Sequence, residues 1–428
     1  MTADRKLHSI DHSTKLIDQL LHLTCKIIPA TAAGGWRLDL SPRTRFSFKK
    51  GIGLLAAAAA AWSYFSQEIN CFPFIKMILF LPLLVFIYYA LRYLWELIPL
   101  QNASKRAVFV TGCDSGFGYL LALKLAQYGM LTYAGCLTKQ GRDELIEEAK
   151  KRGIAAKLKT VPLDITQDQS VNDAADFVRK DLNSVGNIEL WALVNNAGIF
   201  SCFGPDAWTS IDEYKLSMEV NCWGTIRCCQ AFLPLLKRSR GRIVSISSVA
   251  GRVSVPGGAP YAVAKYGVEA YMDAIRLELK CWGIGCSILE PGMFRTKLIN
   301  ADAMTARVDR AWQKMKPEIK EEYGENFKNK FVASWNKLFQ ELASDRLDHV
   351  VDAYFHAVTA RFPRCRYRVG WDAILLYIPY SFLPTGLADF VFHTLTQQLS
   401  EHVLPAVLEK KQQPKQQQNA EQQKKKVI

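Results

Sequence analysis

The sequence predicts an α/β protein built on a doubly wound parallel sheet, and three observations carry that expectation. From Ser104 onward, short apolar runs alternate with helical patterns, the texture of βαβ units. A glycine-rich turn, TGCDSGFG from Thr111 to Gly118, separates the first such run from the first helical pattern. Two apolar stretches precede this region, and after residue 300 the pattern turns helical and charged. The 428 residues, 49% hydrophobic and 22% charged, suffice for a substantial core and exclude a disordered chain.

Residues 1–50 form a polar, basic segment with nine Lys and Arg against four Asp and Glu. Asp4, Asp11 and Asp18 argue against a mitochondrial presequence, whereas Arg37, Arg43 and Arg45 keep that possibility open. Residues 51–98 read as a membrane-anchor region of one or two helices. Its first stretch, Gly51 to Phe65, holds six consecutive alanines. Its second is charge-free from Met77 to Leu91 and continues to Trp95 past Arg92, near the lower edge of the ~20 residues a span needs. A hairpin of both would leave the basic first fifty residues on the same, cytoplasmic side as Arg92, Lys105 and Arg106. A single span would put one basic flank on the wrong side.

Residues 104–300 read as a dinucleotide-binding catalytic domain. Strands are expected at Arg106 to Val110, Leu131 to Ala134, Ile188 to Val194, Arg242 to Ile246 and Gly285 to Leu289, with a helix from Gly116 to Tyr128. Residues 301–408 read as a helical substrate-lid extension. Within it, Ile374 to Phe392 is broken by Pro379 and Pro384 and holds Asp389, which suits a buried or membrane-apposed lid better than a span. Residues 409–428, with six Lys, two Glu and many Gln, are expected to be disordered. About two thirds of the net charge of +14 lies in the two ends and no recognised nucleic-acid module accompanies it, which argues against nucleic acid as a partner and favours flanks meeting a membrane. The eleven cysteines contain no C-x-x-C pair, so neither a disulfide framework nor a zinc site is expected. His8 and His12 have helical spacing but no acidic ligand cluster beside them, and no metal site is expected.

In the glycine turn, Gly112, Gly116 and Gly118, with Ser115 among them, let the backbone turn sharply and present helix N-terminal amides to a pyrophosphate. This context makes the sheet Rossmann-like. Asp164, behind a later short strand, is placed to contact adenine. The acid usually expected at the end of the second strand to hold a ribose hydroxyl is absent from Gly135 to Lys139. NAD is the expected cofactor, with NADP as the alternative because Lys139 and Arg142 could neutralise a phosphate. Tyr261 and Lys265, four apart in YAVAK, share one helix face. An ammonium about 4 Å from the phenol contributes on the order of 4 kcal/mol at an effective dielectric of roughly 20, bringing it toward neutral titration. Ser248, thirteen residues before the tyrosine, supplies a hydroxyl to hold the reacting oxygen. Its neighbour Ser247 is not the residue expected to do so.

Together with NNAG at Asn195 to Gly198, these motifs resemble the short-chain dehydrogenase/reductase family over about Lys105 to Thr296. The resemblance implies a catalytic set of Asn221, Ser248, Tyr261 and Lys265. In it Tyr261 is acid/base, Lys265 a ribose holder, Ser248 a donor to the substrate oxygen, and Asn221 the anchor of a relay water. It further implies that Asn195, Ala197 and Gly198 support the sheet beneath the adenosine, and that Pro291, Gly292 and Thr296 line the nicotinamide. TGCDSGFG, AGCLT, FLPLL and RGRIVSISS are similar to the branch holding retinol, type 2 hydroxysteroid and 3-hydroxybutyrate dehydrogenases. The expected function is hydride transfer between NAD and a small lipophilic secondary alcohol, steroid or retinoid-like. The expected place is the endoplasmic reticulum membrane facing the cytosol, since Lys425 and Lys426 fit a dilysine retrieval signal. A mitochondrial 3-hydroxybutyrate dehydrogenase and a catalytically silent scaffold are the alternatives, and homo-oligomers are implied by the resemblance. No G-x-S-x-G elbow supports a serine hydrolase.

Overall fold

The computed structural model describes residues 73–399 and 404–409. The expectations for 1–50, 51–65 and 410–428, and the histidines at 8 and 12, lie outside them. The chain divides into two units, Met1–Gln101 with Ala360–Phe362, and Asn102–Thr359 with Pro363–Ile428.

In the first unit, α1 (Pro73–Glu96) contains Pro82, which removes one helical hydrogen bond. From Pro82 onward most of its large apolar side chains are exposed, among them Val85, Tyr89, Leu91 and Trp95, whereas Leu94 is buried. Arg92 donates to Glu96 at 2.9 Å. Beyond the helix, Ile98 accepts from the Arg361 amide and Trp95 meets the edge of Phe362. Among the described residues no helix is long and apolar enough to cross a membrane. Of the two stretches expected to insert, 77–95 falls within α1, whose sequence also carries Lys76, Pro82, Arg92 and Glu96.

The second unit runs β1 (Arg106–Thr111), α2 (Gly116–Gln127), β2 (Leu131–Cys136), α3 (Lys139–Lys151), β3 (Leu158–Pro162), α4 (Asp168–Val185) and β4 (Glu189–Asn195). It continues with α5 (Ile211–Met218), α6 (Gly224–Ser239), β5 (Arg242–Ile246), α7 (Ala259–Glu278) and β6 (Gly285–Pro291). Then follow α8 (Ala301–Lys314), α9 (Pro317–Leu342), α10 (Leu347–Thr359), β7 (Arg366–Val369) and α11 (Thr385–Leu399). The seven strands form one sheet in the order β3-β2-β1-β4-β5-β6-β7, and every pair is parallel. Helices cover the central strands on both faces, which is why β1, β2 and β4 are near-continuous apolar runs. Val171, Ala174, Val178 and Leu182 give α4 one apolar stripe at helical spacing, and Phe109 packs on Phe232 at 4.4 Å.

β7 was not expected from sequence. Its RYRV alternates apolar and arginine residues, and the arginines pair inside the fold. Glu290, fully buried, accepts from Arg252 at 2.8 Å and from Arg366 at 2.7 Å. Arg366 also pairs with Glu269 and Asp273 of α7. Buried carboxylates persist only when paired in this way.

A second apolar cluster lies beside the sheet. Met304, Val308 and Trp312 of α8 pack with Phe203, Trp208 and the aromatic residues of α9. At Gly324 the backbone of α9 departs from helix, with φ of 77°. The expected lid stretch 374–392 is a wide helical turn at Ala373–Tyr377, a short α turn at Ile378–Tyr380 and the start of α11. Among the described residues no group of His, Cys, Asp and Glu could hold a metal ion, and the nine cysteines are free thiols.

Candidate active site

Chain order reverses between β1 and β4, and in open parallel sheets ligands bind at such a switch, beyond the carboxyl ends of the strands. A cavity of about 650 Å³ lies there. Its wall is built from the residues that follow the first six strands: Gly112 after β1, Leu137 after β2, Leu163 after β3, Asn196 after β4, Ser247 after β5 and Gly292 after β6.

The glycine turn forms one end. Gly112 takes φ of 69°, and a Cβ there would lie 2.6 Å from the Ala197 Cα. Gly116 takes φ of 64°, and a Cβ there would meet nothing within 4 Å. Ser115 lines the cavity and leaves the first amides of α2 without a side-chain cap, and the first turn carries no acid. This end therefore offers uncapped N–H groups to an anion. Gly118 lies against the Gly112 carbonyl and Asn196 and is absent from the cavity wall, so its part is close packing of helix on strand.

Asn196, which sequence reasoning passed over, ties this end together. Its Nδ2 donates to the carbonyls of Thr111 and Gly112 at 3.0 Å, while the Thr111 hydroxyl accepts from the Asn196 and Ala197 amides. Asn195, like Gly118, is an expected cofactor residue that does not line the cavity: it is buried and donates to Ser245 and Cys229. The period of two along β4 turns Asn195 into the sheet's own packing. Ala197 and Gly198 do line the cavity, as does Asp164, whose carboxylate accepts from the Thr166 amide and hydroxyl. Lys139 and Arg142 are not in the wall, but Asp114 is. Its carboxylate accepts from the Leu137 and Thr138 amides and the Thr138 hydroxyl, which places an acid at the end of β2 from the turn that follows β1.

Deeper in the cavity, Ser248, Tyr261 and Lys265 come together with Asn221. Ser248 follows β5 in extended backbone, its hydroxyl accepting from the Ala250 amide. Ser247 turns inward and donates to the Lys265 carbonyl at 3.4 Å. Tyr261 and Lys265 lie one turn apart on α7, with the ammonium 5.4 Å from the phenol ring centroid. Lys265 is buried and donates to the Ile246 carbonyl at 3.2 Å. Burial pushes the Tyr261 phenol up to about 12, opposed by a hydrogen bond with Ser248. Burial pushes Lys265 down to about 8, opposed by the Glu269 carboxylate and the Cys222 thiol. The expected acidification of the phenol by its neighbouring ammonium is thus outweighed by the dry surroundings of both groups.

Asn221 sits in a wide helical turn, Glu219–Trp223. Its side chain accepts from the Ile199 amide and donates to the Ile199 carbonyl, each at 2.9 Å, and donates to Ser217. It thereby clamps the loop after β4. Pro291, Gly292 and Thr296 form the facing wall. Asp372, buried and with its carboxyl raised by that burial, accepts from the Met293 amide, and no side chain at Gly292 would clear it. Beyond the phenol the wall is aromatic. Phe200 lies 4.9 Å from the Tyr261 ring, and Phe203 lies 4.8 Å from Trp335, which lines the cavity with Phe339.

Known proteins resemble this chain in sequence and fold. The family profile described as short chain dehydrogenase matches residues 106–306. The chain is 45% identical over 341 residues to a 3beta-hydroxysteroid dehydrogenase, dhs-16, of Caenorhabditis elegans, covering 79% of this chain and 87% of that one. It is 40% identical over 317 residues to retinol dehydrogenase 16 of Rattus norvegicus, covering 74% and 97%. The figures for 17-beta-hydroxysteroid dehydrogenase type 6 of Bos taurus are 40%, 74% and 96%. A solved short chain dehydrogenase/reductase from Burkholderia phymatum, in complex with NAD, shares the fold at a TM-score of 0.52 and 22% identity, over 64% of this chain and 92% of its own. The chain belongs to the short-chain dehydrogenase/reductase family of oxidoreductases.

Proposed function

We propose that this oxidoreductase moves a hydride between NAD and a lipophilic secondary alcohol or ketone of steroid or retinoid type. The observation that carries the reading is one cavity in which Ser248, Tyr261 and Lys265 stand between an amide-lined glycine turn and an aromatic wall. The glycine turn fits a dinucleotide, because Gly112 and Gly116 occupy backbone that side chains rarely adopt and the amides opening α2 are uncapped. When bound, the cofactor supplies or accepts the hydride. Asp114, Gly116 and Lys265 would hold it, and a carboxylate at the end of β2 disfavours a 2′-phosphate, hence NAD over NADP.

The chain's own residues manage the proton. At neutral pH Tyr261 is protonated and Lys265 is charged, by the shifts given above. Tyr261 donates its proton to a ketone oxygen, or receives one from an alcohol in the reverse direction, while Ser248 holds that oxygen. The Lys265 ammonium stabilises the phenolate that results. Asn221, by clamping the Ile199 backbone, keeps the loop after β4 in place beneath the site.

The homologues' names point to large, water-poor substrates, and the aromatic wall and cavity volume suit them. The α8–α9 region would act as the lid over that substrate. Membrane attachment in the endoplasmic reticulum belongs to the same reading. It rests on the outward apolar side chains of α1 and on Leu375, Phe382 and Phe390, which are 72%, 72% and 67% exposed near the lid. A 3-hydroxybutyrate reading gains one observation, a cationic Arg307 in the cavity wall. The test is turnover by full-length enzyme in membranes with hydroxysteroids, retinol and 3-hydroxybutyrate, each with NAD and NADP. Tyr261→Phe should cut turnover of the preferred substrate by about 10² to 10⁴. An undiminished variant would remove the proton-transfer role.

A further inference from the structure

Arg307 sits on α8 beside Met304 and Val308, which pack into the aromatic cluster, but its own side chain lines the catalytic cavity. Its guanidinium carbon lies 5.8 Å from the centre of the Phe200 ring, and that ring lies 4.9 Å from Tyr261. The cation and the phenol are therefore both neighbours of the Phe200 ring, in the aromatic part of the cavity. Its polar contact among the described residues is the sulfur of Met304, at 3.4 Å from Nη1. No described carboxylate pairs with it. The nearby charge is Arg310, another cation, and burial together with Arg310 pushes the guanidinium down from its ordinary value. An arginine is rarely left half-buried in an apolar chamber without an anion, because desolvation then goes uncompensated.

We propose that Arg307 is a specificity site for a carboxylate at the far end of the substrate, so that the preferred substrates are lipophilic alcohols or ketones carrying an acid group remote from the reacting carbon. The inference rests on the dehydrogenase reading above and narrows its substrate class. The apolar lining selects the body of the substrate. 3-Hydroxybutyrate, with one methylene between the hydroxyl-bearing carbon and the carboxylate, has no apolar body to cover Phe200, Phe203 and Trp335. A rigid polycyclic alcohol with a side-chain acid reaches both, and its rings lie against Phe200, Phe203 and Trp335. The guanidinium fork suits a carboxylate better than a neutral oxygen does, and in apolar surroundings the paired bonds are strong.

The test compares a hydroxysteroid bearing a side-chain carboxylic acid with its methyl ester, using full-length enzyme in detergent with NAD. The wild type should favour the acid in kcat/KM by about tenfold to a hundredfold, the worth of a charge-assisted hydrogen bond. Arg307→Gln should bring the acid-to-ester ratio close to one, and Arg307→Lys should keep part of it. A ratio near one in the wild type, or one that Arg307→Gln leaves intact, would overturn the proposal. So would an Arg307-dependent preference for 3-hydroxybutyrate over both steroids. Binding read as the change in melting temperature needs no turnover. An Arg307-dependent preference for the acid without oxidation of either compound would uphold the anion site and overturn the dehydrogenase reading instead.

Discussion

Gly118→Ala is expected to damage the fold, whereas Gly116→Ala, two residues away, is expected to damage cofactor binding. A Cβ at Gly118 would lie 2.4 Å from the Gly112 carbonyl oxygen and 2.4 Å from Asn196 Nδ2, where ordinary contact begins at 3.4 Å. Relief requires backbone or Asn196 to move by about 1 Å, and forced overpacking costs about 1–3 kcal/mol. Asn196 cannot move freely, since its Nδ2 holds the Thr111 and Gly112 carbonyls. Loss of one or two such bonds adds about 0.5–1.5 kcal/mol each, for a total of about 1.5–6 kcal/mol. At Gly116 an added Cβ meets nothing within 4 Å, so the cost is that of left-handed backbone alone, about 1–2 kcal/mol. Thermal unfolding of the full chain in detergent, with and without NAD, separates the two. Gly118→Ala should melt several degrees below Gly116→Ala without cofactor, while Gly116→Ala should lose most of the rise that NAD confers. Equal melting temperatures, or a Gly118→Ala protein as stable as the wild type, would refute the packing argument.

Other expectations rest on charge. Because Lys265 is depressed to about 8, its ammonium is present below that pH and lost above it. Ketone reduction should therefore be level through neutrality and decline as pH rises past about 8; a profile that stays level well beyond that point would remove the Lys265 charge from the mechanism. Asp114→Asn should raise kcat/KM with NADP relative to NAD by about tenfold, the equivalent of ~1.4 kcal/mol of relieved repulsion; an unchanged ratio would show that Asp114 does not read the ribose. Arg366→Met leaves Glu290 and Glu269 buried without that cation and should cost about 3–5 kcal/mol in denaturant unfolding, with Glu290→Gln in the same chain restoring part. No loss of stability would mean that Arg252 alone satisfies the cluster.

What could be read from sequence was local. β1, β2, β4, β5 and β6 announced themselves as apolar runs because both faces of each are covered, and the glycine turn did so because its backbone demands glycine. β7 was hidden because its charged positions are paired by residues far away in the chain, Glu269 and Glu290, and pairing of that kind leaves no mark on a short window. The NNAG motif was legible as a motif, but its division of labour was not. Which asparagine faces the turn depends on where β4 ends, and one residue of register exchanges packing for contact. The acid missing from the end of β2 arrives from Asp114 in the glycine turn after β1, and Arg307 reaches the chamber from a helix that sequence reading assigned only to the lid. The phenol's behaviour was misjudged for a different reason: a pairwise charge can be estimated from spacing, whereas the dryness of a pocket cannot.

The break in α9 at Gly324 has a consequence for how such a protein can diversify. It frees the longer part of the helix, which bears Phe331, Trp335 and Phe339, from the direction set by the short part before it, and that longer part packs on Phe203, Trp208 and α8 rather than on the sheet. Exchanging aromatic residues along it would remodel what the chamber accepts while leaving strand ends, glycine turn and proton donor untouched. Selectivity and chemistry are thus housed in separately adjustable parts of one polypeptide.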